Sequence, residues 1–149
     1  NQKYKHTTTI IKNTKHIMTE KEKVEKSIIY LNNKYAWNLY SLDDQFSYWD
    51  AQSADMIVEF KFRNTYYQDK YLQVDKFYNL LMAADYYDKM LYYIVIDSEV
   101  TIFNLRTLKD KIINSKVITQ LAPYQTDFNK TKKVNKYFYI LKHDQQTIL

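Results

Sequence analysis

Three side chains of this sequence, Asp50, Glu59 and Lys61, have the types and spacing that metal-assisted chemistry on a phosphodiester requires. Glu59 and Lys61 stand two apart in Val58-Glu59-Phe60-Lys61-Phe62-Arg63, where Met56, Val58, Phe60 and Phe62 alternate with Ile57, Glu59, Lys61 and Arg63. The alternation predicts a strand over residues 56–63, with successive side chains on opposite faces. A carboxylate and an ammonium then leave one face about 6.6–6.8 Å apart along the chain, while Phe60 points into the core. Asp50 ends the preceding strand-like stretch, 46–50, and a hairpin returns it beside Glu59. Two carboxylates with the Phe60 carbonyl form an all-oxygen donor set, which suits a hard Mg²⁺ ion, with Mn²⁺ as a substitute. Such an ion would polarise a phosphodiester and lower the pKa of a bound water. Lys61 is placed to orient that water or to offset charge developing at phosphorus.

The elements that must hold these groups follow from local patterns. Thr19-Glu20-Lys21-Glu22 is a capping box, and it opens a helix expected to run to about Asn32–Asn33 with Val24, Ile28 and Leu31 on one face. Glu25 flanks that stripe, about 90° from its centre at roughly 100° per residue, and Glu22 falls farther round toward solvent. If this helix packs on the sheet near the site, Glu25 is the better-placed further metal ligand. Strands are expected over 36–40 and 46–50, separated by a polar turn at 41–45. After a polar bridge beyond Arg63, the spacing of Val74, Phe77, Tyr78, Leu81 and Ala84 predicts a second helix. The apolar run 91–96 reads as an interior strand buried on both faces, and Asp97-Ser98-Glu99 turns it into a hairpin with 100–104. A short helix over 106–116, a polar loop over 124–135 and a last strand over 137–141 complete the chain. The fold class is α/β, a mixed sheet flanked by helices.

Rival readings compete at several positions. Asp55 shares the nominal strand face of Glu59 and Lys61, but it follows Gln52-Ser53-Ala54 and reads as turn chemistry, as do Asp43 and Asp44. The plain alternative for Glu59 and Lys61 is an exposed ion pair worth about 0.2–1 kcal/mol. His6, His16 and His143 show no ligand spacing. The basic stretch 130–136 and the lysines at 12 and 15 could follow a phosphate backbone or simply be solvated.

Composition narrows the classes of function. The chain has 149 residues, 46% hydrophobic and 26% charged, which is ordinary globular usage. It has no cysteine, so thiolate metal sites and disulfides are excluded. It also has no glycine, which removes P-loop and dinucleotide-binding fingerprints and leaves tight turns to Asn, Asp and Ser. The net charge of +5 favours polyanionic partners. Apolar runs fall far short of the roughly 20 residues a membrane span needs, and the polar, basic beginning lacks a signal-like apolar core, so a cytoplasmic protein without a membrane partner is expected.

The helix with Glu25, then Asp50, eight residues, Glu59-Phe60-Lys61, a following helix and the apolar strand at 91–96 resemble the PD-(D/E)xK nuclease superfamily. That superfamily includes restriction endonucleases, Holliday-junction resolvases and phage exonucleases. The resemblance covers residues 20–105, and Trp49 stands where many members carry proline. It implies a restriction-endonuclease-like αβββαβ core, Asp50 and Glu59 as metal ligands and Lys61 as the catalytic lysine. Small phage nucleases of this type look similar at Arg63, and the second helix of such enzymes often carries a polar residue at the site. Gln73, Lys70 and Lys76 are the candidates here; Gln73 flanks the helix's apolar stripe, whereas Lys76 lies well away from it, toward solvent. The expected organisation is one domain: a basic arm over 1–18, the core over 19–105 and an extension over 106–149. The expected activity is Mg²⁺-dependent hydrolysis of DNA, with a homodimer plausible because two sites could cut both strands. The competing readings are a non-catalytic basic nucleic-acid-binding or assembly protein that keeps the fold, and an RNA-directed nuclease with the same site.

Overall fold

The computed structural model describes residues 17–42, 47–125 and 129–149, with backbone alone at 124–125 and 129–131. The basic arm up to residue 16, Asp43, Asp44, His6 and His16 lie outside the described residues. Helix α1 (Glu20–Tyr35) starts where the capping box places it, with the Thr19 side chain accepting from the Glu22 N–H. It runs past Asn32 and stops at Ala36, which adopts the left-handed conformation at φ 55°. Among the described residues Asn38 and Asp88 are the other left-handed ones, so short polar side chains and one alanine serve where glycine is usual.

That turn shortens the strand expected at 36–40. With Ala36 and Asn38 both left-handed, only β1 (Tyr40–Ser41) is extended, and the Asn32 side chain bonds both the N–H and the carbonyl of Leu39 in place of a ladder. The strand expected at 46–50 is likewise displaced: residues 48–50 bend, and β2 is Ala51–Gln52. Strand β3 (Met56–Phe62) matches its predicted span. The polar bridge contains a strand that sequence reading missed, β4 (Lys70–Gln73), which runs directly into α2 (Val74–Tyr87). Strands β5 (Met90–Ile96) and β6 (Val100–Asn104) form the expected antiparallel hairpin.

These strands form a five-stranded sheet in the order β1-β2-β3-β5-β6, antiparallel except that β5 runs parallel to β3. Alternation sorts its side chains onto two cores. Val58, Phe60, Ile94 and Ile96 meet Val24, Ile28 and Leu31 of α1, whereas Ile57, Leu91, Tyr93 and Val95 meet Phe77, Leu80 and Ala84 of α2. The two helices thus cover opposite faces of one mixed sheet.

Of the loop predicted at 124–135, residues 124–125 and 129–135 are strand. After α3 (Lys109–Ile113), β7 (Val117–Gln125) and β8 (Asn129–Leu141) make a long antiparallel hairpin. Lys132, Lys133 and Asn135 are exposed there, where polarity is compatible with extended backbone. Strand β8 also pairs with β4, giving a second, three-stranded sheet in the order β4-β8-β7. Leu72, Tyr139 and Leu141 of this sheet join the α2-side core. No helix among the described residues is long and apolar enough to cross a membrane.

Candidate functional site

Just before β2 begins, the chain bends and Asp50 stands outside the ladder. Its N–H still donates to the Val58 carbonyl at 3.1 Å, while its carboxylate oxygen Oδ2 accepts the Phe60 N–H at 2.8 Å. A side chain therefore takes the place of the next backbone partner. In a strand the N–H and carbonyl of one residue point to the same side, so the Phe60 carbonyl lies on the edge that faces Asp50.

Glu59 projects from β3 toward α2 and is only 5% exposed. Its carboxyl is held well above the ordinary value, first by burial and then by hydrogen bonding to Asp50 and the charge of that neighbour. Lys76 opposes the shift: its Nζ lies 2.7 Å from Glu59 Oε2, an ion pair by distance that lacks the angles of a hydrogen bond. Lys61 leaves the same face one pleat on. By area it is exposed, but it lines a recess. Loss of water around the ammonium is the first cause that lowers its pKa, then Arg63; Glu20 and Glu59 pull upward and Lys76 downward.

The recess has a volume of about 860 Å³. Asp50, Glu59, Phe60, Lys61, Arg63 and Gln73 all line it, and so does Lys76. The structure thus brings together the predicted residues of β3 and of the start of α2. It does not bring Glu25, which is exposed on α1 outside the recess. The reason is the face that α1 covers: its apolar stripe packs on Val58 and Phe60, opposite Glu59 and Lys61. Only the helix start reaches round the strand end, so Glu20 lines the recess instead. Asp55 is exposed in the turn before β3, where its N–H bonds Ser53 Oγ at 3.2 Å.

Two further groups were assigned otherwise or missed. Lys76 is exposed, as its place on the helical wheel implied, but the wheel locates it relative to its own stripe and says nothing of what precedes the helix. Since β4 leads straight into α2, the first turn of that helix opens on the recess, and Lys76 reaches Glu59. Lys70 is buried at the first residue of β4; its Nζ bonds Asp97 Oδ2 at 2.8 Å and also the Tyr67 carbonyl. That pair spans the two sheets, and both residues line the recess.

Among the described residues there is no group of three or more His, Cys, Asp or Glu side chains arranged to hold a metal. The oxygens grouped at the end of β3 are the Asp50 and Glu59 carboxylates and the Phe60 carbonyl; the Glu20, Asp69 and Asp97 carboxylates line the recess as well. Comparison of the sequence with protein-family models gave no match, and comparison with curated proteins gave none either.

Proposed function

We propose that this protein is a divalent-cation-dependent nuclease of the PD-(D/E)xK type that hydrolyses DNA phosphodiester bonds. The observation that carries the reading is the arrangement at the start of β2: Asp50 on the Phe60 N–H, beside buried Glu59 and near Lys61, all in one recess. Two carboxylates so close repel when both are ionised, and a dication relieves that conflict. One or two carboxylates, with water and phosphate oxygens, are what Mg²⁺ takes from such sites. The order of elements supports the same reading: a helix, three antiparallel strands, then, past β4 of the second sheet, a helix leading to a strand parallel to the third.

On this reading Asp50, Glu59 and the Phe60 carbonyl would hold Mg²⁺ or Mn²⁺. The ion would supply Lewis-acid polarisation and a more acidic water. Lys61, with its pKa lowered, sets a cation at the phosphate and can pass or hold a proton at Nζ. Arg63 and Gln73 line the same recess and face the phosphates that flank the cut. Lys76 would exchange its contact with Glu59 for one with phosphate.

The same Lys76–Glu59 contact favours the second reading, a non-catalytic nucleic-acid-binding protein in which an internal ammonium permanently replaces the metal. Incubation of supercoiled plasmid, branched DNA and RNA with the protein in Mg²⁺, Mn²⁺ or EDTA separates the two. Cutting of DNA that EDTA abolishes is expected. Binding without cutting on every substrate, indifferent to the cation, would favour the second reading.

A further inference from the structure

The recess is walled on one side by the second sheet, and the face it presents there is unlike a packing surface. Alternation puts Tyr71 and Gln73 of β4, Lys136 and Phe138 of β8 and Gln120 of β7 on one face, and all five line the recess. The opposite face carries Leu72, Tyr139 and Leu141 into the core. Tyr71 and Phe138 are half-buried, with ring centroids 5.8 Å apart and planes tilted by 38°. Gln120 Nε2 donates to the Tyr71 hydroxyl at 3.4 Å. Tyr93 donates its hydroxyl to the Tyr71 carbonyl at 3.0 Å, and Tyr93 is the register partner of Glu59. The aromatic pair is therefore tied to the strand that floors the carboxylate site.

Charge on this sheet has one sign. None of β4, β7 and β8 contains an Asp or Glu, while β8 carries Lys130, Lys132, Lys133 and Lys136. Neighbouring aromatic rings, side-chain amides and lysines on an open sheet face are the chemistry that stacks bases and follows a phosphate backbone. Stacking on such a face needs bases whose π-surfaces are free, and a duplex offers its base faces only to neighbouring pairs. The recess, about 860 Å³ and open to solvent, has room for a few nucleotides of one strand.

We infer that the Tyr71–Phe138 face is a stacking platform for an unpaired nucleic-acid strand, which it feeds toward Asp50, Glu59 and Lys61. The inference rests on the nuclease reading for the reaction at the strand's end, but not for binding. It is tested by fluorescence anisotropy with a short labelled DNA strand, the RNA strand of the same sequence and the DNA duplex, in EDTA and in Ca²⁺. One of the unpaired strands is expected to bind about tenfold or more tighter than the duplex. Phe138→Ala is expected to weaken that strand about fivefold or more, with little change for the duplex. Duplex binding equal to or tighter than both single strands overturns the inference, and the wild-type comparison decides it even if the variant folds poorly. The same substrates in Mg²⁺ keep the two claims apart. Preferential cutting of duplex would sustain the nuclease and overturn the platform; strand-selective binding with no cutting would sustain the platform and overturn the nuclease.

Discussion

At the scale of single residues, Glu59 makes the sharpest prediction. Its carboxyl is raised well above the ordinary value of 4.5, so the folded state holds the proton more tightly than the unfolded chain does. Its contribution to stability is then fully present below that ordinary value and is lost as pH rises through the raised folded one. In EDTA, the wild-type melting temperature should fall over the range above pH 4.5 by an amount that Glu59→Gln removes. Mg²⁺ should restore the wild type at neutral pH and leave Glu59→Gln unchanged, because only the ionised pair gains a ligand. Thermal melts across pH, with and without Mg²⁺, check both. A wild type indifferent to Mg²⁺ would count against the metal site. Asp50, Glu59 and Lys61 were legible because strand alternation fixes which side chains share a face. Glu25 fell outside the recess, and the contact of exposed Lys76 with Glu59 was not foreseen, because helix periodicity fixes angles within a helix, not the face of the sheet it will cover.

At the scale of elements, the least legible was β4, and one residue explains why. Lys70 opens it at a buried position, so the alternation of Lys70-Tyr71-Leu72-Gln73 has no apolar signature. The ammonium is tolerated there because Asp97, just after β5, meets it at 2.8 Å with both side chains almost fully buried. Removing one partner strands the other: Lys70→Met should cost about 3–5 kcal/mol. Replacing both, as Lys70→Met with Asp97→Leu, should recover most of that loss. Urea denaturation of the two variants measures it, and a single variant as stable as the wild type would contradict the clamp. The early strands were shortened by a different cause. Ala36 and Asn38 both turn left-handed, and nothing in residue type marks alanine for that role.

At the scale of the whole molecule, the two sheets share one core. Leu72, Tyr139 and Leu141 from the second sheet pack with Phe77 and Leu80 of α2 and with Leu91 and Phe103 of the first. The fold should therefore unfold in one transition. Leu141→Ala, at a fully buried position, should lower stability by about 2–5 kcal/mol. It should shift tryptophan fluorescence and circular dichroism together, although Trp37 and Trp49 lie on the side of the first sheet. Separate transitions would show that the sheets fold independently. The mixed sheet flanked by helices was legible from local periodicity. The second sheet was not: a last strand was expected at 137–141, but β4 lies far from it in sequence and nothing in β8 names β4 as its partner.

The central claim is that phosphodiester hydrolysis takes place between Asp50, Glu59 and Lys61. It is tested most directly by single-turnover cleavage rates in saturating Mg²⁺ for the wild type, Lys61→Ala and Glu59→Gln. Lys61 is exposed by area and its charge is disfavoured by its surroundings, so its removal should leave circular dichroism unchanged. The account predicts that each variant loses on the order of 10²-fold or more in rate while still folded. A folded Lys61→Ala protein that cuts at the wild-type rate would contradict it.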